Sequence, residues 1–125
     1  RVLFKTGLSK EEIAKEYASS SIAIVSSLYE GFGYPVIEAM SCEVPLIATN
    51  VSSIPELVGD YAELIPAENT NALSNAIRSI LNDYSQYKNI ALRGRQHIVK
   101  NFNWLKITEE YEDIISKTIN DFHKC

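Results

Sequence analysis

Short apolar runs alternating with helix-patterned stretches limit what this chain can fold into. Val2 to Thr6, Ile22 to Val25, Pro45 to Ala48 and Ala62 to Ile65 read as four short strands. Ser9-Lys10-Glu11-Glu12 has the form of a capping box, in which Ser9 accepts from a first-turn amide and Glu12 reaches back. The helix it opens carries Ile13, Ala14 and Tyr17 at helical spacing. Pro35 to Cys42 reads as a second helix with proline at its first position. Ile22-Ala23-Ile24-Val25 is continuously apolar, as expected of a strand covered on both faces. A loop with a helical turn precedes the last strand. After Pro66 three helices are expected, over 71–82, 84–100 and 105–122, the first with Leu73, Ala76, Ile77, Ile80 and Leu81 on one side. Strands alternating with helices imply parallel βαβ units. The expected fold is therefore α/β: a partial Rossmann-like parallel sheet of about four strands flanked by helices, with a helical C-terminus.

Composition sets outer bounds. The 125 residues, 46% hydrophobic and 22% charged, suit one globular domain and exclude a disordered tail. No apolar run approaches the ~18 residues of a membrane span, and Arg1 to Lys5 has neither the length nor the cleavage site of a signal peptide. A net charge of −4 argues against nucleic acid as a partner. Cys42 and Cys125 show neither metal-ligand spacing nor a disulfide framework, which fits a reducing cytoplasm. The first residues read as a strand already under way without an initiator Met, so a piece of a longer protein is expected.

Open parallel sheets bind ligands beyond the carboxyl ends of their strands, which directs attention to residues 26–34 and 49–54. The loop after the second strand runs Ser26-Ser27-Leu28-Tyr29-Glu30-Gly31-Phe32-Gly33-Tyr34-Pro35-Val36-Ile37-Glu38-Ala39-Met40. Gly31 and Gly33 let backbone approach a ligand or adopt positive φ. A helix started by Pro35 is expected to leave the amides of Val36 and Ile37 without intrahelical acceptors, an anion site suited to phosphate. Glu38 is expected in the first turn, where it can accept from sugar hydroxyls, and Glu30 faces the same cleft. Two carboxylates around exposed amides suit a diphosphate lying between two hydroxyl-rich groups, the shape of a nucleotide-sugar. The plainer alternative is two solvated charges at a loop and a helix start.

Glu30 to Met40 resembles the two-glutamate signature of retaining glycosyltransferase family 4. Val2–Gly7 with Ser9–Glu12, Ser26, Pro45–Thr49, Ile54–Asp60 and the Phe-x-Trp turn at Asn101-Phe102-Asn103-Trp104 agree with that family's pattern in order and spacing, over residues 2–104. The resemblance implies a GT-B fold of two Rossmann-like domains, of which residues 1–125 would be a single truncated C-terminal, nucleotide-sugar-binding domain. It implies that Glu38 binds the ribose hydroxyls and that Glu30, the catalytic candidate, contacts the donor sugar beside the reacting carbon. Gly31, Phe32 and Gly33 would line the sugar, with Tyr34 counted among the donor-binding residues or else acting as a packing staple, and Val36 and Ile37 would meet the diphosphate. The implied chemistry is retaining glycosyl transfer to a glycan or lipid-linked acceptor, with no metal or other cofactor required.

Two departures stand out. The family usually has glycine where Glu43 stands and a glycine pair where Ser52-Ser53 stand. A left-handed cap at Glu43 would cost roughly 1 kcal/mol, and side chains at 52 and 53 bear on the donor cleft. The resemblance also places basic diphosphate-gripping residues and an N-terminal acceptor domain upstream, and two strands between 2–6 and 22–25. Without them the fragment is expected to be inactive and to expose a sheet edge open to self-association.

The other residues carry plainer expectations. Cys42 is expected in the core, Trp104 packed, Glu56 either near the nucleotide cleft or capping the turn after Pro55, and His97 and His123 too isolated for ligation or catalysis. Lys88, Arg93, Arg95, His97 and Lys100 give one helix a basic character. Peripheral membrane contact, at the inner face of a membrane, is thus an expectation alongside an ordinary solvated face. A phosphorelay receiver fails because Asp60, Asp83, Asp113 and Asp121 are all misplaced for it. A non-catalytic nucleotide- or sugar-binding module of the same fold stays open.

Overall fold

The computed structural model describes residues 1–122; His123 and Cys125 lie outside the described residues. Three parallel strands, β1 (Ala23–Val25), β2 (Leu46–Thr49) and β3 (Glu63–Ile65), form one sheet in the order β1-β2-β3. Helix α1 (Lys10–Ser19) precedes β1, α2 (Tyr34–Ser41) joins β1 to β2, and the short α3 (Ile54–Val58) joins β2 to β3. Helices α4 (Thr70–Asn82), α5 (Tyr84–Asn101) and α6 (Trp104–Phe122) follow. The parallel sheet, the flanking helices and the helical end agree with the sequence reading.

The fourth expected strand is absent. Residues 2–6 pair with no strand among the described residues, and Val2, Leu3 and Phe4 are 77%, 65% and 94% exposed. A β-rich run becomes a strand only beside a neighbour that completes its ladder. Lys5 instead pairs with Glu16 of α1.

Burial alternates along β2. Leu46 and Ala48 face a core with Val36, Ala39 and Met40 of α2, Ile54, Leu57 and Val58 of α3, and Ile98 of α5. Ile47 faces Ala76 and Ile80 of α4, with Ile65. A period-2 strand covered by helices on both faces produces this arrangement. The edge strand β1 does not: Ala23 and Val25 are buried but Ile24 is 45% exposed, because α4 covers β2 and leaves that face of β1 open. The outer edge of β1 is unpaired among the described residues, as expected.

Helix α5 approaches α2 at Gly94, where a Cβ would lie 3.1 Å from Tyr61 Cβ and 3.2 Å from Met40 Cε. The end of α2 is a Schellman turn: Val44 N–H donates to Ala39 O and Glu43 N–H to Met40 O. Glu43 takes the left-handed position, with φ 58°. Its backbone oxygen accepts from Lys88 Nζ at 2.6 Å and its carboxylate pairs with Arg95 at 2.9 Å, so two basic residues of α5 serve this turn and not a free basic face. No residue of α6 is buried, and Trp104, expected to pack, is 80% exposed. Further along the helix Tyr111, Ile114, Ile115 and Ile119 are each more than half exposed.

Candidate functional site

The capping of α2 shapes the region. Gly33 is its N-cap, with φ 103°, and Pro35 is the second helical residue. Gly33 O accepts from Val36 N at 3.0 Å and from Ile37 N at 3.3 Å. The expectation that these two amides stay free is therefore overturned: moving the helix start one residue earlier gives both an intrahelical acceptor. The unengaged donors lie just ahead. Among the described residues the amides of Gly31, Phe32, Gly33 and Tyr34 make no hydrogen bond to the protein. Glu38 is correspondingly the fifth residue of α2, beyond the first turn.

Hydroxyls hold the loop from below. Ser27 Oγ donates to Glu30 Oε1 at 2.6 Å, a short charge-assisted bond. Thr49 Oγ1, at the carboxyl end of β2, donates to Ser27 O at 2.5 Å. Ser53 Oγ lies 2.9 Å from Phe32 O and 3.2 Å from Glu30 O. Residues 26–34 and 49–53 thus meet at the carboxyl end of the sheet, where the βαβ pattern directs a search. Glu30 is half-buried, with Oε2 unoccupied by any protein donor among the described residues.

Glu38 is exposed and borders a cavity of about 270 Å³ between α1 and α2, with Lys10, Ile13, Tyr17, Ile37 and Cys42. Burial, followed by the negative charge of Glu38, pushes the Tyr17 hydroxyl above its ordinary pKa, and burial chiefly raises the Cys42 thiol. Cys42 is thus a protonated residue half-buried against the core, close to expectation. Glu30 and Glu38 share no hydrogen-bond partner among the described residues and flank the glycine loop in sequence. Tyr34, 64% exposed and one turn before Glu38, shares its open face, so it is not a packing staple.

A row of rings runs from the loop into α5. Phe32 meets Tyr34 at 5.2 Å and Phe102 at 6.4 Å between centroids; Phe102 meets His97 at 5.8 Å, and His97 meets Tyr61 at 5.1 Å. His97, read from the sequence as too isolated for ligation or catalysis, sits inside an aromatic cluster, with Nε2 buried and unpartnered among the described residues. Thr49, Tyr17 and Phe102 gave no sequence signal for these roles, because each acts through a contact distant along the chain; Ser27 acts on Glu30 only three residues on, a local contact that a serine in a loop does not announce. Glu56 makes no side-chain cap at α3.

Similarity to known proteins agrees with this geometry. The family model described as "Glycosyl transferases group 1" matches residues 1–97. The "MMP alpha-(1->4)-mannosyltransferase" of Mycolicibacterium hassiacum is 30% identical over 123 residues, covering 96% of this chain and 30% of that protein. The sucrose-phosphate synthase structure from Thermosynechococcus elongatus superposes with a TM-score of 0.83 at 32% identity, covering 94% of this chain and 31% of the other. Anabaena HepE in complex with UDP-glucose shares the fold, with a TM-score of 0.77 at 24% identity over 85% of this chain and 30% of the other. The chain thus spans about three tenths of the length of the relatives it matches. On the family match, the chain belongs to the group 1 glycosyltransferases.

Proposed function

We propose that this chain is the donor-binding part of a retaining glycosyltransferase of family 4, the C-terminal domain of a GT-B protein whose second domain faces the glycine loop. The observation that carries the reading is the run of unengaged amides from Gly31 to Tyr34 at the carboxyl end of β1, with Glu30 before it and Glu38 one turn after it. In this reading the Gly33 and Tyr34 amides meet the diphosphate, aided by the positive end of α2. The Val36 and Ile37 amides, donating to Gly33 O, fix where that helix starts and are not available to the diphosphate. Glu38, beside the cavity between α1 and α2, accepts from the ribose hydroxyls. Gly31 and Phe32 line the sugar, and Glu30, oriented by Ser27, lies beside the reacting carbon. Charge developing on the leaving diphosphate is met by amides already in place and by basic side chains elsewhere in the longer protein, with no metal required.

The test is calorimetric binding of a nucleoside-diphosphate-sugar panel, repeated with Glu38→Ala. At least one donor is expected to bind, and Glu38→Ala to weaken it by roughly tenfold, the scale of a lost hydrogen bond to a charged group. Equal affinity in both proteins contradicts the ribose role. The 125-residue chain alone is expected to turn over no nucleotide-sugar, and measurable turnover contradicts that part of the proposal.

A further inference from the structure

The geometry points to Ser53 as a positioning residue that aims the amides of the glycine loop, an inference that rests on the nucleotide-sugar reading above. Ser53 stands just before α3, with φ −78°, while Ser52 beside it takes the left-handed conformation, φ 49°. The exposed Ser52 thus makes the tight turn, and the Ser53 hydroxyl is turned onto the loop, 2.9 Å from Phe32 O and 3.2 Å from Glu30 O. A hydroxyl carries one proton, so Phe32 O is the main acceptor and Glu30 O shares it.

Consequences follow from peptide geometry. In a planar trans peptide the carbonyl and the following N–H point in opposite directions. With the oxygens of Glu30 and Phe32 drawn toward Ser53, the N–H groups of Gly31 and Gly33 are directed away from it. Those are two of the amides that lack a protein acceptor. The chain Thr49 to Ser27 to Glu30 holds the same loop from the β2 side, leaving Ser53 as the hydroxyl on the carbonyls of the glycine segment itself. Glycine at position 53 has no side chain to make this contact, so Ser53 supplies an anchor that this chain carries in its own right. Its side chain therefore aims the loop's donors and does not fill the cleft.

The test uses the 125-residue protein with UDP, GDP and ADP as probes, followed by calorimetry and by amide NMR. Ser53→Ala is expected to weaken the tightest-binding diphosphate about tenfold and to abolish the ligand-induced shifts at Gly31 and Gly33, with the thermal midpoint little changed. Ser53→Thr, which keeps the hydroxyl, is expected to restore both to within about twofold. If Ser53→Ala binds within twofold of the unaltered protein, or Ser53→Thr is as impaired as Ser53→Ala, the positioning role is overturned. A concurrent loss in Glu38→Ala then leaves the site reading standing. No saturable binding of any diphosphate by the unaltered protein overturns both.

Discussion

Gly33 and Leu57 are in such close approach that a Cβ on Gly33 would lie 2.8 Å from Leu57 Cδ1. Leu57 is 3% exposed, so its methyl has little room to withdraw. Gly33 also has φ 103°, a conformation that penalises any L side chain. The start of α2 and the site loop thus depend on the α3 core through one glycine.

Gly33→Ala is therefore expected to destabilise the protein by about 2 kcal/mol or more, from overpacking and backbone strain together. Urea denaturation checks this. Adding Leu57→Ala should recover the steric part, so the double variant should be more stable than the sum of the two single losses. Strict additivity contradicts the contact.

Glu43 separates two effects of opposite sign. Its left-handed backbone costs roughly 1 kcal/mol, and its partly exposed pair with Arg95 returns about 0–1 kcal/mol. Glu43→Ala loses the pair and keeps the strain; Glu43→Gly loses the pair and relieves it. The glycine variant is expected to exceed the alanine variant by about 1 kcal/mol in denaturant unfolding. Equal stabilities would show that the turn stores no strain.

Alkaline pH should weaken the fold. Burial raises both the Tyr17 hydroxyl and the Cys42 thiol, so the folded state favours their neutral forms. Their contribution is fully present below the ordinary thiol pKa. It is lost as pH rises toward the raised values, because the unfolded chain ionises first. Urea midpoints should fall from pH 7 to pH 10, and less steeply in Cys42→Ala. In a Cys125→Ser background, alkylation of Cys42 should reach half its limiting rate at a higher pH than a free cysteine. A lower pH would contradict the effect of burial.

The architecture was legible where period and local chemistry agree. Pro45 to Ala48 and Ala62 to Ile65 gave β2 and β3 nearly to the residue, and Ser9 with Glu12 forms the capping box at α1. Residues 2–6 failed because strand propensity does not state whether a neighbour exists. The helix start after Gly33 was misplaced by one residue because proline is tolerated at the second position as well as the first. That single step moved the free amides from Val36 and Ile37 to the loop before them. The Ser53 and Phe102 contacts were invisible because they join residues 21–23 and 70 positions apart, respectively, through tertiary packing alone.

Whether the glycine loop receives the diphosphate is read by amide NMR of the 125-residue protein titrated with UDP, GDP and ADP. Saturable shifts centred on Gly31 to Tyr34 and Glu38 are expected, weakened in Glu38→Ala. Shifts centred instead on the cavity of Ser26, Leu28, Asn69 and Thr70, or no saturable shifts at all, would contradict it.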